Sequence, residues 1–317
     1  MKLIKVVFLD DNDRPGSEMV LQYFRYAVVA GGNKGIGFEI CRQLAKKGVT
    51  VILTARDEKR GIEAVKNLKE SGLTENVVFH QLDVTDPSGI ASLADFVKNQ
   101  FGRLDILVNN AGIPGAHVNF DALKILQTYT DEKQAEHFEW STVATETYEL
   151  VEECLETNYY GAKRLTEALA PLLQLSNSAR IVNVTSAMGR LQNFQNEWAK
   201  RVLGDAEGLT DDRIDEVMRE YLKDFKEGLL EKNGWPEAFS GYIVSKAAMN
   251  ANTRLVARKY PNFCVNCVNP GFIRTDINGH MGTQSVEHGG ECAVRLALLP
   301  TGGPSGLYFS QKEVSYF

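Results

Sequence analysis

Short apolar runs rich in Val, Ile and Leu alternate along this chain with amphipathic stretches of helical length. The runs occupy residues 27–29, 49–53, 77–82, 104–108, 180–184 and 263–268, and a last short one at 306–309 closes the series. Runs that are apolar on both faces mark strands buried on both sides, as in a parallel sheet covered by helices. Between the first two, Phe38, Cys41, Leu44 and Ala45 recur at helical spacing; ahead of the fourth, Leu93, Phe96 and Val97 do the same. The pattern predicts an α/β fold, a single-domain Rossmann-type doubly wound parallel sheet of about seven strands with helices on both faces.

Two stretches, 113–150 and 189–238, are longer than a crossover needs. In the second, Ile214, Val217, Met218, Tyr221, Leu222 and Phe225 are spaced for one apolar helix face. Both follow strand ends, the edge at which open parallel sheets bind ligands. They therefore read as insertions covering a substrate site within one domain spanning residues 26–317, not as a second domain. Residues 1–25 read as a poorly ordered N-terminal extension, with Met19 an alternative initiator.

Composition narrows the class. With 44% hydrophobic and 24% charged residues among 317, the chain is neither disordered nor collagen-like. Lys and Arg number 35 against 41 Asp and Glu, a net charge of -6, so no excess positive field exists to bind nucleic acid. Five scattered cysteines, an odd number, point to a reducing, cytoplasmic setting. No run of 18 apolar residues is present to span a membrane. Cys264 and Cys267 lie on a buried-strand pattern with no second pair to complete a zinc site, so they read as packing residues and no metal is expected.

Candidate chemistry begins where the first strand runs into Gly31-Gly32-Asn33-Lys34-Gly35-Ile36-Gly37 and then an apolar helix. Glycines at a tight strand-to-helix turn let backbone N–H groups and the positive helix end approach a pyrophosphate. Their G-x-x-x-G-x-G spacing is not the G-x-G-x-x-G fingerprint, and taken alone the turn is also compatible with a tight connection. At the end of the second strand, where an acid would hold the ribose 2'-hydroxyl of NAD, the chain has Ala55 and then Arg56. Arg56, with Lys34 from the glycine loop, favours the 2'-phosphate of NADP, although Asp57 is placed to neutralise Arg56. Farther on, Tyr242 and Lys246 sit at i and i+4, on one helix face. An ammonium beside a phenol favours the phenolate and so lowers its pKa, which suits acid–base work. Asn158 and Ser186 are uninformative in isolation, since such residues usually make local backbone hydrogen bonds.

Taken jointly and in order, these segments make residues 26–317 resemble the short-chain dehydrogenase/reductase superfamily. The resemblance rests on Gly31, Gly35 and Gly37; Asn109-Asn110-Ala111-Gly112; Asn158; Ser186; Tyr242 and Lys246; and Pro270, Gly271 and Thr275. Segments 32–40, 81–86, 196–200 and 304–306 are most similar to the plant group that includes salutaridine reductase and the menthone and neomenthol reductases, with mammalian carbonyl reductases more distant.

The resemblance implies NADPH-dependent reduction of a hydrophobic ketone or aldehyde: a monoterpenoid, an alkaloid or a reactive carbonyl. Tyr242 would be the general acid and Ser186 would hold the carbonyl oxygen. Lys246 would lower the Tyr242 pKa and bond the nicotinamide ribose, and Asn158 would anchor a proton-relay water. NADP(H) would be held by Gly31, Asn33, Lys34, Gly35, Ile36, Gly37 and Arg56, with Asp83 and Val84 at the adenine. Asn109, Ala111 and Gly112 would line the cofactor site, and Pro270, Gly271, Ile273 and Thr275 would meet the carboxamide. A long insertion after Ser186 falls where tetrameric relatives pack their interface helices, which implies a monomer. Ala30 departs from the family's usual Thr before the first glycine and implies weaker cofactor binding. Two alternatives share the same residues: an NADP-dependent alcohol dehydrogenase working oxidatively, and a non-catalytic NADPH-binding protein.

Overall fold

The computed structural model describes residues 25–73, 75–126 and 142–317. The expected extension at 1–25 lies outside them except for Arg25, as does the middle of the first insertion, 127–141.

The first half is a run of strand–helix units: β1 (Arg25–Ala30), α1 (Gly35–Lys46), β2 (Val49–Ala55), α2 (Glu58–Glu70), β3 (Val77–Gln81), α3 (Pro87–Phe101) and β4 (Ile106–Asn109). Local chemistry sets their ends. Asp57 caps α2 by accepting from the Arg60 N–H at 2.9 Å, and Asp86 caps α3 through the Ser88 and Gly89 amides. The first insertion carries a two-residue ladder of β5 (His117–Val118) with β6 (Ala144–Thr145), and a short α4 (Phe120–Leu126). Next, α5 (Tyr148–Leu155) passes through a π-helical turn, Glu156–Tyr160, into α6 (Gly161–Leu173) and β7 (Arg180–Val184). The second insertion holds α7 (Glu197–Gly204) and α8 (Asp211–Glu227). The chain then forms α9 (Ser240–Lys259), β8 (Cys264–Asn269), α10 (Val286–Ala297), β9 (Tyr308–Ser310) and β10 (Glu313–Ser315).

These strands make one eight-stranded sheet in the order β10-β9-β8-β7-β4-β1-β2-β3, parallel except for β10 against β9. The seven expected strands are there. The eighth, β10, is a three-residue edge strand of mostly exposed residues reached through a turn with Gln311 at φ 56°, so no apolar run announces it. Strand order reverses between β1 and β4, which opens a crevice at their carboxyl ends.

Three apolar clusters hold the molecule together. Ile40 and Leu44 of α1, Leu68 of α2 and Leu296 of α10 cover one sheet face; Leu93 of α3, Leu165 and Leu169 of α6 and Val256 of α9 cover the other. In the third, Ile214, Val217, Met218 and Tyr221 of α8 are fully buried with Phe194 and Trp235 against Val244, Ala247 and Ala251 of α9. The predicted apolar face of the insertion is therefore real, and it packs onto α9. Arg254 and Arg258 of α9 tie the cover down further, donating to the carbonyls of Leu203, Gly204, Ala206, Glu207 and Leu209. Among the described residues, no helix is long and apolar enough to cross a membrane.

Candidate active site

Most candidate residues lie at or just beyond the carboxyl ends of the parallel strands, and Asn158, Tyr242 and Lys246 come from helices packed beside them. After β1, Gly31 and Gly35 adopt φ 69° and 54°, a region that disfavours side chains. A Cβ on Gly37 would stand 2.1 Å from the Gly31 carbonyl oxygen and 2.4 Å from Asn110 Nδ2. The turn is thus folded down onto the start of α1, where the N-cap residue Lys34 makes no side-chain cap. A glycine-lined turn over a helix N-terminus fits the pyrophosphate of a dinucleotide. Asn110 Nδ2 donates to the carbonyls of Ala30 and Gly31 at 3.1 and 3.0 Å, so an amide from β4's end ties down the turn where Ala30 has no hydroxyl.

From the opposite side, the segment after β8 closes over the turn. Gly271 adopts φ 97°, and a Cβ there would meet Gln284 Oε1 at 2.0 Å. A methyl of Thr275 lies 3.3 Å from where a Gly35 Cβ would stand, and Ile273 and Ile36 meet across Gly289. Pro270 leads this segment off the strand. Lys34 Nζ bonds Asp276 Oδ2 at 2.7 Å, joining the two loops. Arg56, just past β2, faces Glu153 of α5 at 3.7 Å, and its side chain is 69% exposed. The expected partner, Asp57, is instead engaged as the cap of α2, because a carboxylate one residue before a helix satisfies that helix's first amides.

Ser186, Tyr242, Lys246 and Asn158 converge beside the crevice. The π-helical turn turns Asn158 fully inward. There it accepts from the Ile113 N–H at 2.8 Å and donates to the Ile113 carbonyl and to Ser245 Oγ, both at 3.0 Å. Gly112 lets this layer close: a Cβ there would lie 3.2 Å from Asn158 Oδ1 and 3.5 Å from Lys246 Nζ. Gly189, beyond Ser186, does the same against α9, where a Cβ would sit 2.7 Å from the Lys246 backbone carbon. Lys246 Nζ donates to the Val184 carbonyl at 2.9 Å and stands 5.7 Å from the centre of the Tyr242 ring.

Electrostatics differ from the expected activation of Tyr242 by Lys246. Burial pushes the Tyr242 phenol up to about 12, partly offset by a hydrogen bond with Ser186. Burial likewise pulls the Lys246 ammonium down to about 8. A dry site penalises whichever form is charged, and the ammonium's hydrogen bond goes to a backbone carbonyl, not to the phenol. At neutral pH the phenol therefore keeps its proton.

Not every predicted cofactor residue turns its side chain to the crevice. Asn109 is buried in the sheet, donating to Thr166 Oγ1 at 3.0 Å and Asn183 Oδ1 at 2.8 Å, so its amide braces β4 against β7 and α6. Asp83 Oδ1 holds the turn after β3 through the Thr85 amide and hydroxyl. Val84 packs on Gly161, and Ala111 lies against Gly31. Asn33 sits in the turn itself and Ile36 in the first turn of α1. Cys264 and Cys267 are free and buried, with burial pushing the Cys267 thiol up to about 12. Among the described residues no group of three or more His, Cys, Asp or Glu could hold a metal.

Several contributors escaped sequence reasoning. Asp276, Glu153 and Ser245 carry no motif, and their partners lie far away along the chain. Phe194 and Trp235 of the second insertion also carry no motif, and with Tyr221 they do not form an open lining under the cover. They are buried against one another instead, because a long insertion needs an apolar core to offset its ordering entropy.

A family model described as short chain dehydrogenase matches residues 25–197. The chain is 54% identical over 306 residues to a (+)-neomenthol dehydrogenase of Capsicum annuum, covering 92% of this chain and 98% of that protein. The solved structure of salutaridine reductase from Papaver somniferum superposes with a TM-score of 0.83 at 52% identity, covering 90% of this chain and 99% of that one. More distantly, carbonyl reductase (NADPH) 1 of Rattus norvegicus is 36% identical, over 91% of this chain and 96% of that protein. The chain belongs to the short chain dehydrogenase family and is an oxidoreductase acting on carbonyl or CH–OH groups.

Proposed function

We propose that this protein reduces a hydrophobic ketone or aldehyde to the alcohol with NADPH, as a cytoplasmic monomer. The observation that carries the reading is the Tyr242 phenol, held protonated by burial, with Lys246 Nζ 5.7 Å from its ring and Asn158 joined through Ser245 Oγ to the Tyr242 carbonyl. A reduction needs an acid that still has its proton when negative charge develops on the carbonyl oxygen.

Bound NADPH supplies the hydride that adds to the carbonyl carbon. Tyr242 donates its proton to the oxygen as the C=O double bond becomes a C–O single bond, and Ser186 holds that oxygen in place. The resulting phenolate is stabilised by Lys246, whose ammonium is already within 5.7 Å of the ring. Asn158 fixes the Ile113 peptide beside Gly112, keeping the loop after β4 against Lys246.

Two cations support the choice of NADPH over NADH. Arg56 follows β2 where a ribose 2'-substituent would lie, and Lys34 projects from the glycine turn. Each is exposed and paired with one carboxylate, and such surface pairs contribute only about 0–1 kcal/mol, so a phosphate dianion readily displaces them. The name of the 36% identical rat relative includes NADPH, which agrees. The neomenthol and salutaridine names of the closer relatives favour a cyclic terpenoid or alkaloid ketone. The second insertion packs over α9, where the resemblance places the interface helices of tetrameric relatives, and this favours a monomer.

The deciding experiment follows NADPH absorbance against a panel of cyclic ketones and aldehydes, with Tyr242→Phe alongside the parent. The parent is expected to oxidise NADPH with at least one cyclic ketone, and the Phe variant to lose at least ~100-fold in kcat while still binding NADPH. A Phe variant as fast as the parent would remove Tyr242 as the acid. Tight NADPH binding with no turnover across the panel would instead favour a non-catalytic binder.

A further inference from the structure

We propose that Glu146, from the first insertion, is a positioning residue that caps the catalytic helix α9 and fixes the turn carrying Tyr242. This rests on the reading of Tyr242 as the acid.

Helix α9 begins abruptly. Its N-cap residue is Phe239, at φ 51° and with a side chain that cannot accept a hydrogen bond. The first amides of any helix lack partners within it, and here the N-cap does not supply one. Glu146 supplies them from 94 residues upstream: Oε2 accepts from the Ser240 N–H at 3.0 Å, and Oε1 accepts from the Gly241 N–H and from Ser240 Oγ, each at 3.0 Å. The carboxylate faces the positive end of the helix dipole, which suits its charge. From neighbouring elements, Tyr221 of α8 bonds the same Ser240 hydroxyl at 2.6 Å, and Cys154 of α5 is a buried thiol.

Both insertions thus converge on Ser240, two residues before Tyr242. Gly241 allows the contact to be close, since a Cβ there would stand 3.1 Å from Val151 Cγ1 of α5. Proton donation depends on geometry at the scale of one ångström, so a first turn free to fray would misplace Tyr242 against Ser186 even with α9 otherwise folded. The remaining turns of α9 are held by the cores above and below, so the effect of Glu146 is confined to its first residues.

The test compares Glu146→Ala and Glu146→Gln with the parent in the full-length protein by amide hydrogen exchange, NADPH affinity from nicotinamide fluorescence, and steady-state kinetics. In the Ala variant the Ser240 and Gly241 amides are expected to exchange about tenfold faster, while protection later in α9 is retained. Its kcat should fall at least about tenfold with NADPH Kd and carbonyl KM within about threefold of the parent. The Gln variant keeps one acceptor oxygen and should recover part of the loss. If Ala does not fold, Gln carries the measurement through faster exchange at Ser240 alone. Unchanged exchange at Ser240 and Gly241 overturns the proposal, as does faster exchange with parental kcat. A kcat loss matched by equal loss of NADPH binding, without recovery in Gln, reduces Glu146 to general fold support and also overturns it. If the parent itself turns over no carbonyl, the functional reading fails, yet the exchange data still decide whether Glu146 is the cap.

Discussion

Tyr242 and Lys246 show how one environment acts in opposite senses on an acid and a base. Burial raises the phenol and lowers the ammonium, so the pair enters the reaction as protonated Tyr and a Lys whose pKa of about 8 leaves it half deprotonated at that pH. Arg56 is the residue on which cofactor choice can be read most directly. Arg56→Asp is expected to weaken NADPH binding about 10- to 100-fold, the cost of a lost charge-assisted contact plus repulsion, and to change NADH binding far less. Fluorescence titrations with both nucleotides measure this, and equal losses would sink the 2'-phosphate assignment. At this scale the sequence revealed residues with a local signature: glycines in a turn, Tyr and Lys four apart. It did not reveal Glu146, Glu153 or Asp276, whose meaning comes from partners 94, 97 and 242 residues away. Nor did spacing disclose that Lys246 would spend its hydrogen bond on the Val184 carbonyl.

At the scale of elements, seven apolar runs became seven strands because most are buried on both faces, a condition few other structures impose, with the edge strand β3 only half-buried. What escaped were pieces made of polar residues or unusual backbone: β10, and the π-helical turn that swings Asn158 inward. The junction of β1, its glycine turn and α1 makes a sharp prediction. In Gly37→Ala the new methyl meets backbone, the Gly31 carbonyl at 2.1 Å, so no rotamer change relieves it. The turn must lift from α1 at a cost of about 1–3 kcal/mol. Thermal unfolding should shift downward and NADPH affinity should drop at least about tenfold. A variant with the parent's Kd would show that the cofactor does not rely on this close approach.

For the whole molecule, the insertions change what α9 can do. In this chain α9 is buried around nearly its entire circumference, by the sheet on one side and by α7 and α8 on the other. Light scattering is expected to give the mass of a single chain, 35.2 kDa, at micromolar concentration. A stable tetramer would mean that another surface assembles and that burying α9 does not keep the chain monomeric. The single-domain reading from length and motif order agrees with this architecture, since the insertions share α9 with the main core. That the cover has a core of its own was less legible, because apolar spacing alone does not distinguish residues that meet each other from residues that meet a ligand.

That separate core, with Phe194, Tyr221 and Trp235 locked together away from the sheet, has an evolutionary consequence. Mutations in groups that share no partner act nearly independently, so residues elsewhere on the cover can drift without disturbing the strands that hold the cofactor turn. Descent can therefore diversify what such a scaffold admits while its acid and its nucleotide cradle stay inherited. The toll is felt most directly at the Ser240 junction, where both insertions bond the residue two positions before Tyr242.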